Sequence, residues 1–130
     1  MARTRPGLGQ AMLRVAAVGL LAAAFPLLAF AHALLEKSEP ARRAVLSKPP
    51  AQVRLWFNER LEPAFCAMSV LDAAGKPVTQ DKASVAAEDR KRLELALPLL
   101  GRGVYTVRYN VLSVDGHSVR ASFQFSIKGP

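Results

Sequence analysis

Near the end of the chain, Val119, Ala121, Phe123, Phe125 and Ile127 alternate with Arg120, Ser122, Gln124 and Ser126. A period of two sends successive side chains to opposite faces and marks a strand with one dry and one wet side. The same alternation runs through Tyr105, Val107, Tyr109 and Val111. It recurs in Leu93, Leu95 and Leu97 against Arg92, Glu94 and Ala96, and in Val53, Leu55 and Phe57 against Gln52, Arg54 and Trp56. Residues 65–71 add another strand, and a short first strand precedes the irregular, proline-bearing stretch from Ser38 to Pro50. Turn residues separate these runs, notably Asp72-Ala73-Ala74-Gly75-Lys76-Pro77 and Gly101-Arg102-Gly103. No sustained helical periodicity competes after residue 31. Short strands with solvated outer faces at this spacing predict an all-β fold, a small antiparallel β-sandwich or barrel.

The first 31 residues obey different rules. Arg3, Arg5 and Arg14 precede an uncharged run from Val15 to Ala31 that ends Ala29-Phe30-Ala31. A positive start, an apolar middle and small residues at −3 and −1 describe a secretory signal peptide. An uncleaved anchor is the rival reading, but the run is at the lower limit for a membrane span and contains Pro26. The expected organisation is a signal peptide over 1–31 and one exported β-domain over 32–130. A domain of that size buries about two-thirds of its unfolded surface.

Charge narrows the partners. The chain has 18 Lys and Arg against 10 acids. Removal of the leader's three arginines leaves 15 against 10, a net +5. The basic residues fall in short clusters, Arg42-Arg43 and Arg90-Lys91-Arg92, among acids. Export removes the motive for nucleic-acid binding. The plain reading is a solvated basic surface, with weak attraction to anionic lipid or an acidic partner left open. One cysteine, Cys66, rules out an internal disulfide framework and any zinc site of several cysteines.

The two histidines stand in suggestive places. Cleavage after Ala31 makes His32 the first residue, able to offer a metal both its α-amine and its imidazole. His117 follows Ser113-Val114-Asp115-Gly116 at the end of the Tyr105–Val111 strand. In extended backbone, Asp115 and His117 share one face with Cα atoms roughly 6–7 Å apart. An amine, two imidazoles and a carboxylate form a set that suits tetragonal Cu(II). Each signal also has a plainer reading: an exposed terminus for His32, an ordinary Asp-Gly turn for Asp115.

The order of these residues resembles the periplasmic copper-resistance proteins of the CopC type, over about residues 32–127. The resemblance begins at His32-Ala33-x-Leu35-x-x-Ser38-x-Pro40-Ala41. It runs through Pro50-x-x-Val53-x-Leu55-x-Phe57-Asn58-Glu59-x-Leu61-Glu62 and Val70-x-Asp72-x-x-Gly75. It closes on Gly103-x-Tyr105-x-Val107-x-Tyr109-x-Val111-x-Ser113-x-Asp115-Gly116-His117-x-Val119. It implies a Greek-key β-sandwich or barrel, Ig-like or cupredoxin-like, holding one Cu(2+) per chain. The implied ligands are His32, Asp115 and His117. Glu59 would be a weaker axial ligand, or an acceptor that fixes the tautomer of a ligating imidazole. The family also implies a CopD-type inner-membrane copper transport partner, with membrane contact only through that partner.

The chain departs from some relatives in its methionines. Met1 and Met12 leave with the leader, and Met68 alone cannot form a thioether Cu(I) site. Cys66 reads as a small buried hydrophobe. Trp56 either covers an edge of the sandwich or flanks the copper.

Function therefore reads as a non-enzymatic copper store, carrier or resistance protein. The alternatives are a histidine-brace oxidase and a metal-free Ig-like accessory module. Against the oxidase, the domain is too small for an extended substrate surface, and Asp115 would fill a position an oxidase leaves open. Amine and imidazole ligate only when deprotonated, so copper affinity is expected to fall as pH drops through the histidine range. Unchanged affinity between neutral and mildly acidic buffer, measured by competition titration, would argue against imidazole ligation.

Overall fold

In a computed structural model, the structure describes residues 33–129, together with Arg3 and Gly19. The rest of the expected leader lies outside the described residues, and so does His32. Among the described residues, no helix is long and apolar enough to cross a membrane.

The chain forms two four-stranded sheets packed face to face. The strands are β1 (Leu35–Glu39), β2 (Val45–Leu46), β3 (Gln52–Phe57), β4 (Ala67–Leu71), β5 (Ser84–Val85), β6 (Arg92–Ala96), β7 (Gly103–Leu112) and β8 (Ser118–Ile127). One sheet has the order β1-β3-β6-β5 and the other β2-β8-β7-β4. The chain changes sheet at every connection except β5–β6 and β7–β8, the connectivity of a Greek-key sandwich. All neighbours are antiparallel except β2, which lies parallel to β8 through Val45↔Ser126 and Leu46↔Ile127.

The alternation sorts the faces as the sequence predicts. Val53, Leu55 and Phe57 from β3, Leu93 and Leu95 from β6, Val107 and Val111 from β7, and Phe125 and Ile127 from β8 are all essentially inaccessible to water. They form one core, which joins both sheets. Phe57 meets Tyr109 edge-on across the sandwich, with ring centroids 5.6 Å apart. Tyr105 stacks on Phe125 and donates its hydroxyl hydrogen to Gly101 O at 2.8 Å.

Two local expectations need correction. The strand expected over 65–71 begins at Ala67, because Pro63–Phe65 forms a 3-10 turn with proline in its first turn. Phe65 is consequently exposed. Trp56 lies on the outer face of its sheet, in the row Lys37–Trp56–Arg92. Lys37 Nζ sits 4.7 Å from its ring centroid, and the Arg54 and Arg92 guanidinium carbons sit at 5.4 and 5.9 Å.

Phe57→Ala removes a fully buried ring from the core between the two sheets. It is expected to destabilise the domain by about 3–5 kcal/mol, a large part of the ~5–15 kcal/mol that holds a domain folded. Urea denaturation should show the midpoint falling; a loss below about 1 kcal/mol would contradict this packing.

Candidate metal centre

The β7–β8 hairpin brings the first two side chains together. Its ladder runs for ten pairs, from Gly103↔Ile127 to Leu112↔Ser118. Beyond it, Ser113 N–H donates to His117 O at 2.8 Å, and Gly116 N–H donates to Ser113 O at 2.9 Å. The loop is thus Val114-Asp115-Gly116. Gly116 has φ 86°, the left-handed position that a three-residue hairpin loop requires and glycine fills at least cost. Asp115 and His117 therefore meet around a turn, and not along an extended strand as their spacing alone predicts. Ser113 is completely buried, and its Oγ accepts the His117 N–H at 3.1 Å. That bond fixes the backbone from which the imidazole projects.

The other sheet delivers Glu59. After β3 the chain leaves its sheet and runs alongside the hairpin. Leu61 pairs with Ser113, Glu62 N–H donates to Leu112 O at 2.9 Å, and Val114 N–H donates to Arg60 O at 2.9 Å. Leu61 is buried in the core and anchors this crossing. Just before it, Asn58 clamps the start of the described chain. Leu34 N–H donates to Asn58 Oδ1 at 2.8 Å, and Asn58 N–H donates to Leu34 O at 3.0 Å.

Glu59, Asp115 and His117 converge so that one ligand atom from each lies within 4.8 Å of the others. Glu59 Oε2 and His117 Nδ1 face each other at 3.6 Å. Both atoms are buried, and neither has a hydrogen-bond partner. At 3.6 Å they are too far apart to bond each other, yet burying them unpaired costs free energy. Two donors on one transition-metal ion, each about 2.0–2.2 Å from it, lie up to about 4.4 Å apart. The residues present thus fit a metal ion held between an imidazole nitrogen and carboxylate oxygens. His117 and Glu59 are partly shielded, while Asp115 is exposed. The fourth expected ligand, His32, lies outside the described residues.

Asn58 and Ser113 do the positioning, and neither is singled out by sequence reasoning. Both stand in the quoted motifs, beside Glu59 and ahead of Asp115-Gly116-His117. Cys66 is half-buried against the core, and its thiol donates to Leu112 O at 3.6 Å. Burial pushes that thiol above its ordinary range. Met68 is 7% exposed and belongs to the core.

The match to known proteins decides the family. A CopC-domain family model matches residues 35–128. The chain belongs to the CopC family. It is 35% identical over 103 residues to the copper transport protein CutJ of Bacillus subtilis, covering 78% of this chain but only 19% of CutJ. It is 31% identical over 106 residues to copper resistance protein C of Xanthomonas campestris pv. juglandis, covering 77% of this chain and 83% of that protein. The crystal structure of CopC from Methylosinus trichosporium OB3b superposes with a TM-score of 0.71 at 34% identity, over 75% of this chain and 95% of that one. PcoC of Escherichia coli, a methionine-rich copper resistance protein, shares the fold: TM-score 0.66 at 24% identity, over 75% of this chain and 100% of that one.

Removing the Ser113 hydroxyl tests whether that bond holds the loop. Ser113→Ala leaves the His117 N–H without its partner and is expected to destabilise by about 1–3 kcal/mol. Amide hydrogen exchange should accelerate at His117 while the Val107 amide stays protected. Unaltered exchange at His117 would show that the loop does not depend on Ser113.

Proposed function

We propose that this protein is a periplasmic Cu(II)-binding protein that stores, delivers or sequesters copper, one ion per chain. The observation that carries this reading is the facing pair of buried, unpartnered atoms, Glu59 Oε2 and His117 Nδ1, with Asp115 alongside. Imidazole nitrogen with carboxylate oxygen is a donor set that Cu(II) favours, at the top of the divalent affinity series. The copper names of CutJ and copper resistance protein C support the same cargo.

His32 completes the proposed ligand set. Cleavage after Ala31 would free its α-amine beside its imidazole. Ala33 is buried, and Leu34 is tied to Asn58, the neighbour of Glu59, which supports a place for residue 32 near the proposed site. Asp115 and His117 would then share the ion with His32, with Glu59 as a weak axial ligand or as the group that orients His117. The copper passes to or from a CopD-type inner-membrane protein. The enzymatic alternative fits less well, because a site already crowded by Glu59, Asp115 and His117 leaves little room for a reacting substrate.

The test is titration of the purified exported protein with Cu(II), followed by electron paramagnetic resonance, after its N-terminus is read by mass spectrometry. The expected result is a His32 start and one tetragonal, nitrogen-rich centre per chain. His117→Ala and chemical masking of the α-amine should each weaken binding by more than the roughly 10–100-fold that follows from removing a residue which only hydrogen-bonds to a metal ligand. Unchanged affinity in both would overturn the proposal.

A further inference from the structure

The two sheets treat their charges in opposite ways. On the outer face of β1-β3-β6-β5 the cations are neutralised. Lys37 and Arg54 share Glu39 at 3.2 and 2.5 Å, and Arg92 pairs with Glu94 at 3.0 Å and with Glu88. The strands of the β2-β8-β7-β4 sheet contain no acidic residue at all.

That second sheet displays arginines instead. Arg108 and Arg120 are exposed and point outward from β7 and β8. Ser122 pairs with Arg108 across the ladder and lies two residues beyond Arg120 on the same face. On its other side, along the edge of β8, Arg42 and Arg43 line a shallow concavity with Ser122, Phe123 and Gln124. Arg43 is held there in the left-handed region, φ 62°, with its N–H donating to Gln124 O at 2.7 Å. Few arginines adopt that conformation, and such strain collects at functional surfaces. None of the four arginines forms an ion pair among the described residues. Like charges gathered without counter-charges repel one another, a cost that an opposite charge outside the molecule removes.

We propose that this sheet face docks on an anionic phospholipid membrane. Charge complementarity commits it to phosphate headgroups: guanidinium groups bind phosphate oxygens in pairs, and the intervening Ser122 and Gln124 add hydrogen-bonding groups. The face lacks the outward aromatic side chains that anchor protein partners. Its strongly exposed apolar residues, Val45 and Val104, flank Ser126 at one end. The dispersed basic clusters leave weak attraction to anionic lipid open, while the family resemblance implies membrane contact only through a partner; folding, which brings Arg42-Arg43 beside Arg108 and Arg120, argues for direct contact. The inference does not depend on the metal content of the site.

The experiment is flotation of the processed, metal-free protein with vesicles of pure phosphatidylcholine and of an equal mixture of phosphatidylcholine and phosphatidylglycerol. Binding to the mixed vesicles alone is expected, weakening as salt rises. R108Q/R120Q should lower partitioning by roughly thirtyfold, the effect of two basic residues at an anionic surface. R90Q/K91Q removes the same charge from exposed positions just before β6 and should change it little. Far-UV circular dichroism and a thermal melt check that both variants remain folded. Equal loss in the two variants, equal binding to neutral vesicles, or no binding to the mixed ones overturns the proposal. Binding to poly-glutamate but not to vesicles also overturns it, and assigns the face to an acidic protein.

Discussion

The structure depends on the ten-pair ladder between β7 and β8. No other pairing in the domain is as long, and its inward side chains supply much of the core, from Tyr105 and Val107 to Phe125 and Ile127. Because register in a sheet has a period of two, a slip of one residue would turn all of these toward water. The buried face therefore holds the ladder in place, and the ladder holds the turn that closes it. Asp115 and His117 occupy that turn, so core packing sets their positions as surely as any local bond does.

The candidate centre belongs to both sheets. Asp115 and His117 come from the β7–β8 hairpin, while Asn58 and Glu59 follow β3 in the opposite sheet. Leu61, buried in the core and bridged to Ser113, ties the two contributions together. A site built across a rigid sandwich end fixes the spacing of its donor atoms, because moving them would disturb packed side chains. Glu59 Oε2 and His117 Nδ1 are thus held 3.6 Å apart, each without a hydrogen-bond partner.

The outer faces show how the same fold can carry two electrostatic characters. Trp56 is surrounded by cations that are already paired with glutamates, and salt bridges of this exposed kind add little net stability. They do leave one broad face nearly neutral. The other face keeps its arginines unpaired. A modest net charge, scattered in short clusters along the sequence, becomes directional once folded.

Much of this was legible from residue order. Alternation exposed β3, β6, β7 and β8, because each is long enough for a period of two to repeat. It could not reveal β2 and β5, which have two residues each, nor the turn that takes Phe65 out of its expected strand. The motif residues Glu59, Asp115 and His117 were legible as candidates, with the spacing of Asp115 and His117 attributed to the wrong backbone geometry. By itself, then, the sequence determined which face of each main strand is dry, where the loop glycine must stand, and which side chains bear metal-binding chemistry. Those properties are local, set by side-chain type and dihedral preference. Only the tertiary structure decided that Glu59 faces His117, that Asn58 clamps Leu34, and that Arg42 and Arg43 lie along β8 beside the face of Arg108 and Arg120. These residues are far apart along the chain: strand pairing brings Asn58 to Leu34 and sets the arginines along one sheet, and closing the sandwich brings Glu59 to His117.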